Sequence, residues 1–269
     1  MASPTTALAP RPRIGRGGGS WMPSVVLLVG LLVLWEVAAG TVLARSKAFP
    51  PLSDVLAEVT GDVDTYARHV RATIRAAWPG WLWGNVIATV LGALAVAVPL
   101  VERSVLHVAV AVTSLPIIAL GPIFQVTLDG DAPRSALAGL AVFFTTLVGT
   151  IVGLRACDRS SIDVIRALGG GRGAVLGKVR IRAALPDYVA ALKISVPAAV
   201  LGAIIGEFIG GSESGLGVAL IAARANADSP RVWGIALVAT AVAGLGYALV
   251  ALVGRLLTPW APASARRPT

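Results

Sequence analysis

The chain has 269 residues, of which 56% are hydrophobic and only 14% are charged, with a mean hydropathy of +0.79 and a formal net charge of +9. A soluble domain carries charge on about a quarter of its residues, so this composition excludes an ordinary soluble protein and predicts a membrane protein. The 23 Lys and Arg residues fall mainly in short segments between apolar runs, which predicts membrane topology rather than a nucleic-acid partner.

Six apolar runs are long enough to cross a bilayer, which takes about 20 helical residues. They are residues 22–44, 81–101, 104–128, 135–154, 188–210 and 232–254. Their apolarity is continuous rather than alternating, which selects helices over a β-barrel. The first run exceeds the apolar length of a secretory signal, so we expect an uncleaved helix. We predict an all-α membrane protein whose six-helix domain, residues 22–257, lies between tails at 1–21 and 258–269.

The distribution of basic residues predicts the orientation of these helices. Fifteen Lys and Arg residues fall on the side of the two termini and eight fall on the other side. The positive-inside rule then puts both termini and the segment 155–193 in the cytoplasm.

Prolines and one acid inside the spans are candidates for a translocation path. Pro116, Pro122 and Pro197 remove backbone donors, and a water-lined path is one way to satisfy the freed carbonyls. A simple packing kink is the alternative for each. Glu207 is an intramembrane acid that either lines the outer part of the path or reaches interfacial water.

The polar segment 155–186 is predicted to be a structured cytoplasmic loop, which we call the coupling loop. An amphipathic helix follows a cap at Ser160 and Ser161, the glycines 169–171 end it, and a second amphipathic helix runs to Pro186, which closes the loop before the next span. The segment lacks both the Walker and the dinucleotide-binding patterns, so we expect no nucleotide site in this chain. The two histidines and the single cysteine suggest no metal site.

The coupling loop resembles the cytoplasmic signature of binding-protein-dependent ABC importer permeases, which reads Glu-Ala-Ala, three residues, Gly, nine residues, Ile-x-Leu-Pro. Residues 163–165 stand at Glu-Ala-Ala, Gly169 matches the Gly, and residues 179–182 occupy the last four positions without a gap. The chain departs from the signature at Asp163, which is a shorter acid than Glu, and at Val164, Ile165 and Arg182. In the branch that carries nitrate, sulfonate, taurine and related solutes, Ala-Leu-Pro follows closely, as residues 184–186 do here. Further motifs of that branch occur in order from residue 49 to residue 260.

The resemblance implies a type I importer permease with the MetI-like fold, in a bacterial inner membrane. It implies an importer in which this subunit forms the path for a small solute, as a pair of copies, and receives the solute from an extracytoplasmic binding protein. The solute would be an anion, such as a sulfonate, nitrate or taurine, or a vitamin precursor. ATP and Mg²⁺ would bind a separate ATPase and nothing would bind this chain as a cofactor. The ATPase-coupling residues would be Asp163, Ile165, Arg166, Ala167, Leu168, Gly169, Arg172, Val179, Ile181, Leu185 and Pro186.

Two other functions stay open at this point. An ion-driven secondary transporter would show internally repeated spans with paired broken segments, and the two halves show no convincing repeat. A membrane enzyme acting on lipids would need acids, a histidine or a nucleophile clustered at one depth, and no such cluster follows from the spacing. The first helix of the coupling loop could also rest on anionic lipid.

Overall fold

A computed structural model describes residues 21–43, 48–210 and 212–260, and within these ranges all regular structure is helical. The helices are α1 Trp21–Gly40, α2 Leu52–Gly61, α3 Val63–Ala97, α4 Pro99–Ser114, α5 Ile117–Thr127, α6 Ala132–Arg155, α7 Arg159–Ala167, α8 Arg172–Val175, a π-helical turn Leu176–Arg180, α9 Ile181–Ile209, α10 Leu216–Ala225 and α11 Ser229–Leu257. The predicted tails, apart from residues 21 and 258–260, lie outside the described residues.

Five helices of the described chain are long and apolar enough to cross a membrane, and a sixth crossing is possible if α4 and α5 form one span. The five are α1 from Met22, α3, α6, the continuous helix Gly173–Ile209 and α11. The all-α fold class predicted from the composition agrees with this architecture.

The predicted third span, residues 104–128, is not one straight helix. α4 and α5 meet at an angle of 91°, at a break around Leu115 and Pro116. Pro116 forces the residue before it out of the helical region, and Leu115 is accordingly extended, with ψ of 129°. Pro122 and Pro197, by contrast, lie inside the helices α5 and α9.

Two helices begin well before the spans predicted from their charge-free cores. α3 begins at Val63 rather than Trp81, since its N-terminal part buries Tyr66, Thr73 and Ala76 while its arginines stay exposed. Pro186 likewise does not close the coupling loop, because α9 runs through it. Ala184 packs closely there on Gly153, where a Cβ would lie 2.9 Å from the Ala184 carbonyl oxygen.

Helices α3, α6 and α9 form the centre of the fold through small residues. A Cβ added at Gly84 of α3 would lie 2.5 Å from the Gly139 carbonyl oxygen of α6, and one at Gly202 of α9 would lie 2.7 Å from the Leu137 carbonyl oxygen. In lipid, the hydrophobic effect does not drive helices together, and glycines let their backbones approach closely enough to associate through van der Waals contacts. A buried hydrogen bond of 2.5 Å from Thr146 to Asn85 also links α6 to α3.

The chain divides into two units after Ser53. In the first unit, nearly every side chain of α1 is exposed, as expected of a helix with apolar residues on all sides in lipid. The Glu36 carboxylate accepts hydrogen bonds of 2.7 and 3.2 Å from the hydroxyl and amide of Ser53. The second unit contains the remaining helices and both regions considered below.

Candidate functional site: the coupling loop and a buried acid

The first helix of the coupling loop, α7, is capped by Asp158 rather than by the predicted serines. The Asp158 carboxylate accepts hydrogen bonds from the Ser160 hydroxyl at 2.5 Å and the Ser160 amide at 3.4 Å. These bonds favour the ionised form and so hold the pKa of Asp158 below its ordinary value. The bond from the Ser160 hydroxyl has the larger effect. A charged cap at a helix N-terminus also complements the positive end of the helix dipole.

Part of the apolar surface of α7 and of the residue after it is left exposed by the described residues. No residue of α7 is buried, and the side chains of Val164 and Leu168 are 58% and 80% exposed. These two residues are four apart and therefore share a face of the helix. An exposed apolar stripe on a short, strongly amphipathic helix is typical of a surface that another molecule covers.

The glycines after α7 form the turn predicted from the sequence. The amide of Gly170 donates to the Ile165 carbonyl at 2.8 Å and that of Gly169 donates to the Arg166 carbonyl at 2.9 Å, which is the Schellman pattern of helix ends. Gly169 has φ of +79°, a conformation that side chains with a Cβ rarely adopt. A Cβ at Gly170 would lie 2.5 Å from the Ile165 side chain. The turn therefore requires glycine at 169 and favours it at 170.

Beyond the turn, the loop continues into the membrane-spanning helix without interruption. The segment Gly173–Ile209 is one helix with a π-helical turn at Leu176–Arg180. Of the predicted coupling residues here, Val179, Leu185 and Pro186 are half-buried and Ile181 is exposed. In α7, Asp163, Arg166 and Ala167 are exposed and Ile165 is half-buried, whereas the side chain of Arg172 lies outside the described residues. The predicted coupling residues thus lie on two helical segments that the glycine turn joins.

The predicted path residues have different surroundings. Pro116 and Pro122 are exposed, Pro197 is half-buried, and Glu207 is completely buried. Glu207 Oε2 accepts a hydrogen bond of 3.0 Å from the Thr73 hydroxyl and one of 2.9 Å from the Gly217 amide. Among the described residues, Glu207 Oε1 has no hydrogen-bond partner.

The segment after α9 closes tightly over this carboxylate. The Thr73 hydroxyl accepts a bond of 2.9 Å from the Leu216 amide, and His69 Nδ1 accepts one of 3.1 Å from the Gly215 amide. A Cβ at Gly215, which has φ of +143°, would overlap the Glu207 carboxylate. We call Glu207, Thr73, His69, Gly215 and Gly217 the acid cluster. In this conformation its acid joins α3, α9 and α10.

Sequence reasoning singled out Glu207 but missed its partners. Thr73 and His69 lie 134 and 138 positions before it, and no local pattern links residues so far apart. The one available signal was the pair Gly215 and Gly217, which marks a place where backbone and another group approach closely.

Comparison with known proteins decides the family. A sequence model of the family described as "binding-protein-dependent transport system inner membrane component" matches residues 84–261, about two thirds of the chain. The chain belongs to this family. It is therefore a multi-pass inner-membrane protein and the permease subunit of an ABC importer, a family in which the ATPase is a separate subunit.

Relatives of this permease cover almost its whole length. The riboflavin transport system permease protein RibX of Chloroflexus aurantiacus is 30% identical over 96% of this chain and 97% of its own. The formylaminopyrimidine transport permease protein ThiX of Halalkalibacterium halodurans is 27% identical over 88% of this chain and 95% of its own. The putative aliphatic sulfonates transport permease protein SsuC of Bacillus subtilis is 27% identical over 95% of this chain and 94% of its own.

A solved structure shares the permease fold. A chain of the MetNI methionine ABC transporter, from a study of its inward-facing conformations, aligns with a TM-score of 0.61 at 19% identity, over 73% of this chain and 97% of its own. This match confirms the predicted MetI-like fold. The family model and the relatives confirm the assignment to the ABC importer permeases that the sequence motifs suggested.

Proposed function

We propose that two copies of this permease frame a path for a small polar solute, and that the coupling loop docks each copy onto a cytoplasmic ATPase. The observation that carries the proposal is the apolar stripe of α7, Val164 and Leu168, which the rest of its unit leaves exposed. This helix joins a membrane-spanning helix through a glycine turn and an unbroken helix, Gly173–Ile209. Stiff elements of this kind transmit the movement of a docked partner to the span.

The orientation follows from the charge distribution. With the coupling loop facing the cytoplasm, both termini also lie there, on the side that carries fifteen of the 23 basic residues. ATP and Mg²⁺ would then bind the partner ATPase, and a binding protein would deliver the solute on the opposite face.

The names of the relatives support two solute classes. ThiX and RibX are named for heteroaromatic vitamin-related compounds, and SsuC is named for aliphatic sulfonates. We propose that this permease carries either a vitamin precursor or a small organic or inorganic anion such as a sulfonate, taurine or nitrate. Thermal-shift screening of the partner binding protein against both classes would separate them.

Co-purification tests the docking proposal. The tagged permease, extracted in mild detergent from its native membranes, should retain an ATPase subunit, and the reconstituted complex should hydrolyse ATP faster with loaded binding protein. Val164→Ser should weaken retention of the ATPase by about tenfold, since losing a buried apolar contact of about 1.4 kcal/mol changes affinity by that factor. Lys178→Ser alters an exposed residue of the same loop outside α7 and serves as the matched control. Equal retention by both variants would contradict docking through the stripe.

A further inference from the structure

Three arginines meet at a cavity between the coupling loop and the ends of two spans. The cavity has a volume of about 270 Å³, and Arg155, Arg159 and Arg180 line it together with Cys157. Arg155 ends α6, Arg159 begins α7 and Arg180 ends the π-helical turn. Three arginines from three separate elements, two of them only four positions apart in the chain, thus bring their charge to one place.

Two of the three arginines, Arg159 and Arg180, are poorly compensated within the described residues. Neither Arg159 nor Arg180 has a carboxylate within ion-pair distance there, and Arg180 Nε is buried without a hydrogen-bond partner. The adjacent Asp158 carboxylate already accepts two hydrogen bonds from Ser160. Residues 155–182 include seven basic and two acidic residues. A buried guanidinium nitrogen without a partner is costly, so the site is suited to an anion.

The lining of the cavity also includes three apolar residues, two of which lie where spans end. Val96 is in the last turn of α3, Leu154 is in the last turn of α6, and Ile162 is in the first turns of α7. Val152, one turn before Arg155 on the same side of α6, is 53% exposed. A ligand with an anionic head and an apolar tail could contact both parts of this surface.

We infer that this cavity binds the phosphate group of an anionic phospholipid, with the arginines around the phosphate and an acyl chain along Val152. Arginine is suited to this task because its planar guanidinium donates paired hydrogen bonds to phosphate oxygens. Basic pockets between membrane helices are known sites for anionic headgroups. The inference needs neither an ATPase nor a particular solute, so it does not depend on the proposed function.

Cys157 provides a reporter that the chain already contains. It is the only cysteine of the chain and is partly exposed on the cavity wall. The full permease is placed in phosphatidylcholine nanodiscs with or without phosphatidylglycerol, and the rate of Cys157 labelling by an uncharged maleimide is measured. We expect phosphatidylglycerol to slow labelling more than about fivefold, since each basic residue near an anionic lipid contributes about fivefold to binding.

Matched variants separate the cavity from general surface charge. The double variant Arg159→Gln/Arg180→Gln should lose the protection, whereas Arg182→Gln removes an exposed arginine nearby that does not line the cavity and should keep it. Native mass spectrometry of the wild-type permease should also show retained phosphatidylglycerol, which keeps the test valid if the double variant fails to fold.

Three outcomes would overturn the inference. One is equal labelling in both kinds of nanodisc, and another is equal loss of protection in Arg182→Gln and the double variant. The third is protection by inorganic phosphate in phosphatidylcholine nanodiscs with none by phosphatidylglycerol, which would make the ligand a free anion. If only an added ATPase protects Cys157, the cavity belongs to a protein interface and the lipid assignment is wrong.

Discussion

The coupling loop and the acid cluster are opposite kinds of region in one permease. In the coupling loop, α7 buries none of its side chains, and its geometry depends on local features: a cap at Asp158 and a left-handed glycine at 169. In the acid cluster, Glu207 is fully buried and its partners come from other helices. The first region leaves apolar side chains exposed, whereas in the second the acid is held by hydrogen bonds from its own unit.

This difference separates effects on coupling from effects on folding. Changes in an exposed loop remove few contacts and should leave the free energy of unfolding almost unchanged. Changes in a buried polar network leave donors without acceptors and should act on stability first. The variants below test whether the two regions divide in this way.

The largest effect is expected from Glu207→Ala. It leaves the Thr73 hydroxyl and the Gly217 amide without their acceptor, and each unsatisfied buried group costs about 1–3 kcal/mol. We expect the free energy of unfolding to fall by about 3 kcal/mol. Thermal unfolding in detergent, followed by tryptophan fluorescence, would measure this change.

The control for this variant lies in the same segment. Glu213 is exposed, so Glu213→Ala should change stability by about 0.5 kcal/mol or less. Glu207→Gln keeps an oxygen acceptor, so its loss of stability should lie between those of Glu207→Ala and Glu213→Ala. If Glu207→Ala unfolds like the wild type while uptake drops, the acid lines the path and its anchoring role is wrong.

Gly169→Val should act on transport with a smaller effect on stability. A β-branched side chain at φ of +79° strains the backbone by about 1–2 kcal/mol, which the exposed loop can relieve by rearranging. The orientation of α7 relative to α9 would then change, and we expect uptake in proteoliposomes to fall more than tenfold while membrane insertion persists.

Gly171→Val is the matched control for this substitution. Gly171 lacks a positive φ, and a Cβ there would have no heavy atom within 4 Å. It should retain most of the uptake. Normal uptake by Gly169→Val would rule out the turn as part of the coupling mechanism.

The smallest effect is expected from acidification. Because the pKa of Asp158 is lowered in the folded state, its contribution to α7 is complete above the ordinary value of about 3.9 and is lost as the pH falls through the lowered value. Hydrogen exchange at the first amides of α7, corrected for intrinsic rates, should therefore stay constant from neutral pH to about pH 5 and rise below about pH 4. Asp158→Asn caps without titrating and should remove this rise. If hydrogen exchange still rises at low pH in this variant, a group other than Asp158 causes the rise.

Much of the fold and the coupling loop could be predicted because their causes are local. Bilayer-length apolar runs predict spans, and a glycine run after an amphipathic stretch predicts a helix end, which Gly169 forms. The length of the charge-free runs did not predict where two helices begin, because packing extends these helices beyond the runs. The starts of α3 at Val63 and α9 at Ile181 depend on side chains buried against α6 and α10, which periodicity alone does not indicate.

By itself, the sequence determined the membrane class, the helical architecture, the family resemblance and the place of the coupling loop, because hydropathy and short-range motifs act within a turn or a span. Only the tertiary structure showed which groups surround Glu207 and that Arg155, Arg159 and Arg180 line one cavity. A buried acid takes its surroundings from groups that lie near it in space, and Thr73, which donates to Glu207, lies 134 positions before it in the chain.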